Sequence, residues 1–271
     1  MISVLAAARR LALKILTAVV LTLPLVLSAA AREDDVKELA PTGKLRVALV
    51  FAPEKSIFFV VKDGEGKPQG VTADIAAALG HAINLPLEYA LFPNSGLATD
   101  ALESGAVDVS FMPVDEERKQ RVAFGPNYVL GESTYMVTAA LPAKTVEEVD
   151  RAGVRVIGIA NTTTIRAAGR TLKNTGVSPV PSVAEAVAML RDGKADAFAL
   201  SRDSLPTYVK QVPGSRITDG AFQQIGIAIA VAKGNQARLA AVTKFMDQGK
   251  TNGLVRKALD DAGYAGIAVA P

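Results

Sequence analysis

Asn161-Thr162-Thr163-Thr164 is a stretch whose residue types suggest chemistry. It follows the apolar run Val156 to Ile159 and precedes a helical pattern that begins near Ile165. Hydroxyls and free backbone N–H groups would gather there at a helix N-terminus, which favours an anion. The same residues also suit a plain N-cap with no ligand. A second charged stretch, Asp115-Glu116-Glu117-Arg118-Lys119 with Arg121, reads by itself as a solvated face. His81 is the only histidine and cysteine is absent. A lone His near a helix end, without Cys or a spaced His partner, predicts no metal centre. Any Ser-His-Asp triad would have to use that one His, and no Gly-x-Ser-x-Gly elbow is present. Asp63-Gly64-Glu65-Gly66 lacks calcium-loop spacing and reads as a hairpin turn. No cofactor is expected.

The N-terminus predicts an address. Arg9, Arg10 and Lys14 form a basic region, Ile15 to Leu27 an apolar one, and Ser28-Ala29-Ala30-Ala31 a small-residue cleavage site. This is the layout of a cleaved secretory signal over residues 1–31, with cleavage near Ala31. The apolar segment, interrupted by Pro24, is shorter than the roughly 20 residues that span a bilayer. Cleavage removes three basic residues and no acidic one, so Lys+Arg falls from 30 to 27 against 27 Asp+Glu. The mature chain is then formally neutral, and nothing in its charge points to nucleic acid as a partner. Without cysteine there is neither a disulfide nor a thiol for lipid attachment, so a free, periplasmic product is expected.

About 240 residues remain, enough for one large domain or two ordinary lobes. Leu45 to Phe51 and Ile57 to Lys62 read as strands. Thr72 to Ile83 reads as a helix, with Ile75, Leu79 and Ile83 on one face. Thr145-Val146-Glu147-Glu148 and Ser182-Val183-Ala184-Glu185 each look like a capping box that opens a helix. Alternating strands and helices predict α/β architecture with largely parallel sheets. One pattern occurs twice. Leu102 to Asp108 leads into Val109-Ser110-Phe111-Met112, and Leu190 to Asp196 leads into Ala197-Phe198-Ala199-Leu200. Both read as helix, glycine stop, aspartate turn and buried strand, which raises a two-lobe reading.

In order along the chain, further segments carry a resemblance: Gly43 to Val47; Gly66-Lys67-Pro68-Gln69-Gly70 with Asp74-Ile75-Ala76; Glu117-Arg118 with Phe124 to Tyr128; Ile157-Gly158-Ile159 with Thr162-Thr163; and Ile227 to Asn235. The mature chain resembles the periplasmic solute-binding proteins of ABC importers, amino-acid-type family. The resemblance implies a two-lobed, type II periplasmic-binding-protein fold, each lobe a mixed, mostly parallel sheet flanked by helices. It implies a first lobe from residues 32–130, a second from 131–224, and a hinge return over 225–271 that completes the first. It implies ligand capture by hinge closure, no catalysis, and transient delivery by a monomer to a permease in the inner membrane. The ligand implied is a small carboxylate, an amino acid first and another organic acid second. Alternatives on the same fold are a periplasmic dehydratase, with Glu54 or Asp203 as acid, and a ligand-sensing partner of a membrane sensor.

In similar proteins the arginine at Arg118 grips the ligand carboxylate, for which a planar guanidinium fork is suited. Asn161, Thr162, Thr163 and Thr164 would meet the ligand from the second lobe. The first lobe would add Phe51, Glu54, Asn94, Ser95 and Met112. Two positions depart from the pattern. Met112-Pro113 stands where many amino-acid binders carry small hydroxyl residues. Ser201 stands where many carry the acid that receives the ligand ammonium, followed by Arg202 and Asp203. Asp203 would substitute for that acid with a shifted backbone; otherwise Arg202 would favour a second anionic group.

Overall fold

The computed structural model describes residues 39–271; the secretory leader expected over residues 1–31 and the start of the first lobe expected from residue 32 lie outside the described residues. Eleven strands and eight α-helices follow one another along this span. The strand β1 (Leu45–Val50) is apolar at nearly every position and almost wholly buried, as a parallel strand covered on both faces must be. It pairs in parallel with β4 (Leu87–Phe92) on one side and β5 (Val109–Pro113) on the other. Next to β5 runs β11 (Gln223–Ala232), antiparallel, and next to β11 runs β6 (Val122–Val137).

The long strand β6 then enters a second set. Its end pairs antiparallel with β9 (Ala197–Ser201), and β9 pairs in parallel with β7 (Val156–Ile159), itself parallel to β8 (Val177–Val180). The short β10 (Arg216–Ile217) closes that set against β6. The two sets have the same internal order and share the crossing strands β6 and β11, which pair with each other at Gly131 and Ile225. This is the two-lobed α/β arrangement expected from the sequence.

Helices cover both sets. In the first, α1 (Val71–Ile83) buries Ile75 and Leu79, and α2 (Ser95–Glu103) follows β4. The short α3 (Glu116–Arg121) follows β5, while α7 (Gln236–Thr251) and α8 (Leu254–Asp261) end the chain. In the second set, α4 (Thr163–Thr171), α5 (Val183–Arg191) and α6 (Leu205–Val209) follow β7, β8 and β9.

The repeated sequence pattern is a repeated structural device. Asp108 receives the Arg46 backbone N–H at 2.9 Å and the Arg46 guanidinium through Nε and Nη2, at 3.0 and 2.7 Å. Asp196 receives Arg155 in the same three ways, at 2.8, 2.9 and 2.6 Å. In each copy a glycine at positive φ, Gly105 or Gly193, ends the helix three residues before the aspartate. Each aspartate thus pins the first strand of its lobe to the third.

Two expectations are corrected. Only Val61–Lys62 (β2) of the Ile57–Lys62 run is a strand, paired with Pro68–Gln69 (β3) across the Asp63–Gly66 turn. Ahead of it the Ser56 hydroxyl accepts the Phe58 and Phe59 N–H groups, and this local turn replaces ladder bonds. Thr145 opens only a 3-10 turn at Glu147–Val149, whereas Ser182 caps α5 by accepting the Glu185 N–H.

Candidate functional site

The carboxyl ends of the parallel strands of both lobes converge on one cleft. In open α/β sheets this is the edge where ligands bind, because the strand-to-helix loops leave side chains and helix N-termini free there. Ile57 to Phe59 follow β1, Pro93-Asn94-Ser95 follow β4, and Pro113 ends β5. From the other lobe come Ile159 and Thr162 to Thr164 after β7, Val183 after β8, and Ala199 to Ser201 on β9. The crossing strands supply the floor through Gly131, Glu132, Ser133, Ile225 and Ile227.

Arg118 is not a solvated residue of a charge run; it is 2% exposed. Asp115 caps α3 by accepting the Arg118 N–H at 2.8 Å, which turns this side chain inward. Glu116 and Lys119 pair with each other on the exposed side. The buried guanidinium donates to the Pro113 carbonyl at 2.9 Å, to Ser95 Oγ at 2.6 Å and, across the cleft, to the Asn161 carbonyl at 3.4 Å. All three acceptors are neutral. Burial lowers its pKa to about 10, against the opposing influence of the Asp115 charge. It remains a cation near neutral pH.

The facing lobe offers a helix N-terminus. Thr162 caps α4: its Oγ1 accepts the Ile165 N–H at 3.2 Å and donates to the Ile159 carbonyl at 2.7 Å. Thr163 is buried at the first turn, and Thr164 Oγ1 lies 3.3 Å from Ser133 Oγ. Asn161 adopts a left-handed conformation, φ 59°, where the chain turns from β7 into the cap. Asn94 caps α2 in the same manner, its Oδ1 accepting the Leu97 N–H at 2.9 Å.

The lobes touch. Gly96 lies against Asn161 so closely that a Cβ there would stand 2.9 Å from the Asn161 carbonyl oxygen. Arg166 on α4 forms ion pairs with Asp115 and, at 2.9 Å, with Glu117. Asp203 Oδ2 accepts the Ile57 N–H at 2.9 Å. Burial holds the Asp203 carboxyl above the usual carboxylate range, while the Ile57 N–H and the Ser201 and Ser56 hydroxyls pull the other way.

Of the residues singled out from the sequence, Asn94, Ser95, Thr162, Thr163, Thr164 and Ser201 line the cleft, and Arg118 and Asn161 stand behind its wall. Phe51 lies in an outer groove beside Lys62, whose Nζ is 4.9 Å from its ring centroid. Glu54 is outside the lining. Met112 points into the core, where its sulfur accepts the Thr99 hydroxyl at 3.5 Å. Arg202 turns to Glu132 Oε2 at 3.1 Å and to the Thr218 and Gly220 carbonyls. Asp203 is drawn to Ile57. The sequence reading missed Glu132, Ser133 and Arg166. No local motif marks them, because the crossing strand and the closed cleft bring them in. Among the described residues no group of three His, Asp or Glu is arranged to hold a metal.

Residues 50–261 match the family described as bacterial extracellular solute-binding proteins, family 3. Solved structures show the same fold. An ancestral arginine-binding protein bound to glutamine is 27% identical, with TM-score 0.72 over 82% of this chain and 98% of that one. An ancestral amino acid-binding protein, a precursor of cyclohexadienyl dehydratase, is 26% identical, with TM-score 0.72 over 83% and 98%. An amino acid ABC transporter substrate-binding protein from Streptococcus pneumoniae, bound to L-arginine, is 22% identical, with TM-score 0.73 over 86% and 99%. No curated protein sequence matches.

Proposed function

The chain belongs to the bacterial extracellular solute-binding proteins, family 3, and from that premise we propose that it is the periplasmic solute-binding component of an ABC importer. It captures a small carboxylate-bearing solute between its lobes and hands it to a permease in the inner membrane. The observation that carries this reading is the buried Arg118 guanidinium, whose hydrogen bonds all go to neutral acceptors, facing the N-terminus of α4. A buried cation whose hydrogen bonds go only to neutral groups is suited to an anion, and a carboxylate matches its fork. The long 3.4 Å contact to Asn161 is the bond a ligand carboxylate would displace. Amino acids are the first ligands to test, since the similar proteins carry glutamine and L-arginine.

The first lobe spans residues 32–130 and 225–271, and the second 131–224. The pairing of Gly131 with Ile225 on the crossing strands supports a hinge there. Ligand shifts the equilibrium toward closure by touching both lobes. The protein acts as a monomeric binder rather than an enzyme, a reading supported by its solute-binding family. The cleaved leader over residues 1–31 delivers it to the periplasm.

The test is a thermal-shift screen of protein refolded to strip carried ligand, against amino acids, dicarboxylates and aromatic acids. Ligand at about 100 times its Kd should stabilise by ~2.7 kcal/mol. Arg118→Ala should weaken the hit at least about thirtyfold, the lower range for removing one partner of a buried charge pair. A hit that survives this substitution unchanged refutes the clamp.

A further inference from the structure

The lining of the cleft narrows the ligand class. This step rests on the carboxylate reading above and goes beyond it. Ile57, Phe58 and Phe59 from one lobe and Ile159, Val183 and Leu200 from the other make most of the wall apolar. One end holds Ser95, backed by Arg118, and the α4 N-terminus. Beside them, where a ligand ammonium would need a carboxylate, stands Ser201, in register with Ser133 on the β6–β9 pair and with its hydroxyl bonded to Ser204 Oγ at 2.8 Å. Asp203 does not line the cleft: its Oδ2 accepts the Ile57 N–H, and its Oδ1 is buried with no hydrogen-bond partner among the described residues. Glu132 is the one acidic residue of the lining, and Arg202 Nε sits on it at 3.1 Å. Arg202 is thereby held away as well, so no second cation enters the cleft.

An α-ammonium closed into this space would lose its hydration and meet no carboxylate in the lining but Glu132, which already holds Arg202. Burying a charge without a partner is among the costliest changes in protein chemistry. A second ligand carboxylate would meet the same obstacle. We infer that the ligand is a monocarboxylate with an apolar aliphatic or aryl body and no α-amino group, chosen by Ser201 and the apolar wall. Arg118 and α4 hold its carboxylate, and the wall covers its body.

Calorimetric titration of the purified, ligand-stripped protein tests this with matched probes. These are isocaproate against L-leucine, hydrocinnamate against L-phenylalanine, glutarate, and the neutral isocaproamide. At least one acid should bind about tenfold or more tighter than its amino counterpart, with glutarate and the amide weaker than isocaproate. Ser201→Asp should reverse the preference, gaining affinity for L-leucine and losing it for isocaproate. Amino acids that bind as well as or better than their acids overturn this inference and leave the carboxylate clamp standing. So does binding of L-leucine that Glu132→Gln abolishes, because Glu132 would then be the ammonium acceptor. An amide that matches its acid overturns the clamp itself. Silence from every acid overturns both.

Discussion

Arg118 shows how one side chain can be committed by its neighbours. Six of the seven residues from Asp115 to Arg121 are charged, and in the sequence they form one undifferentiated run. The cap made by Asp115 sets the phase of the short helix α3, and that phase sends Arg118 in and Glu116 and Lys119 out. A lysine there would keep the charge and lose the fork. It could not serve the Pro113 carbonyl, Ser95 and a carboxylate with fixed planar geometry. Arg118→Lys should therefore bind a carboxylate ligand about tenfold more weakly by calorimetry, the difference between two charge-assisted bonds and one. Equal affinity would mean that only the charge matters. Side-chain direction is the part of the site that sequence conceals. Counting from Asp196 identifies Ser201, but only the fold reveals that Asp203 reaches across to Ile57.

Among the elements, strands and helices with a regular apolar period were legible and locally stabilised turns were not. The helix expected from Thr72 to Ile83 is observed as Val71–Ile83, and Val156 to Ile159 is a strand. The Ile57–Lys62 run has the composition of a strand, yet the Ser56 hydroxyl gives its amides closer partners. That turn presents Ile57, Phe58 and Phe59 to the cleft. Close approach of elements also depends on glycine. A Cβ at Gly158 in β7 would stand 3.1 Å from Ile165, so its absence seats the first turn of α4 near the sheet. Gly96 at the start of α2 does the corresponding work between lobes, since a Cβ there would collide with Asn161. Alanine favours a helix by roughly 0.5–1 kcal/mol over glycine, so Gly96→Ala should leave the ligand-free melting temperature unchanged or higher. Ligand affinity should fall about tenfold or more, and X-ray scattering should show a more expanded molecule with ligand than the parent. Unaltered affinity would show that closure tolerates a wider gap.

At the scale of the molecule, closure places ionisable groups where the open form would leave them in water. The duplicated Arg–Asp clasps, Arg46 with Asp108 and Arg155 with Asp196, each lie within one lobe and are indifferent to the hinge. Asp203 is different, because its partner Ile57 belongs to the other lobe. Lys55 and Tyr264 flank the same junction, the Tyr264 hydroxyl donating to the Lys55 carbonyl at 2.9 Å. Burial, together with the Asp203 and Glu54 charges, raises the pKa of Tyr264 to about 12, so it stays neutral. The Asp203 carboxyl is raised in the closed form, whereas opening returns it toward the ordinary ~3.9 of a solvated aspartate. Between those two values the closed form holds a proton that the open form has released. Closure then takes up a proton and is favoured as pH falls. Ligand affinity should decline as pH rises through this window, by at most about tenfold per pH unit for one proton, and level off above the raised value. Asp203→Asn keeps an acceptor for the Ile57 N–H and cannot ionise. Comparing the two proteins with one ligand cancels the ligand's own titration. The expected result is that the difference in log affinity between the variant and the parent grows with pH across the window and is then constant. A difference that does not change with pH would show that Asp203 keeps the same protonation state whether the lobes are open or closed.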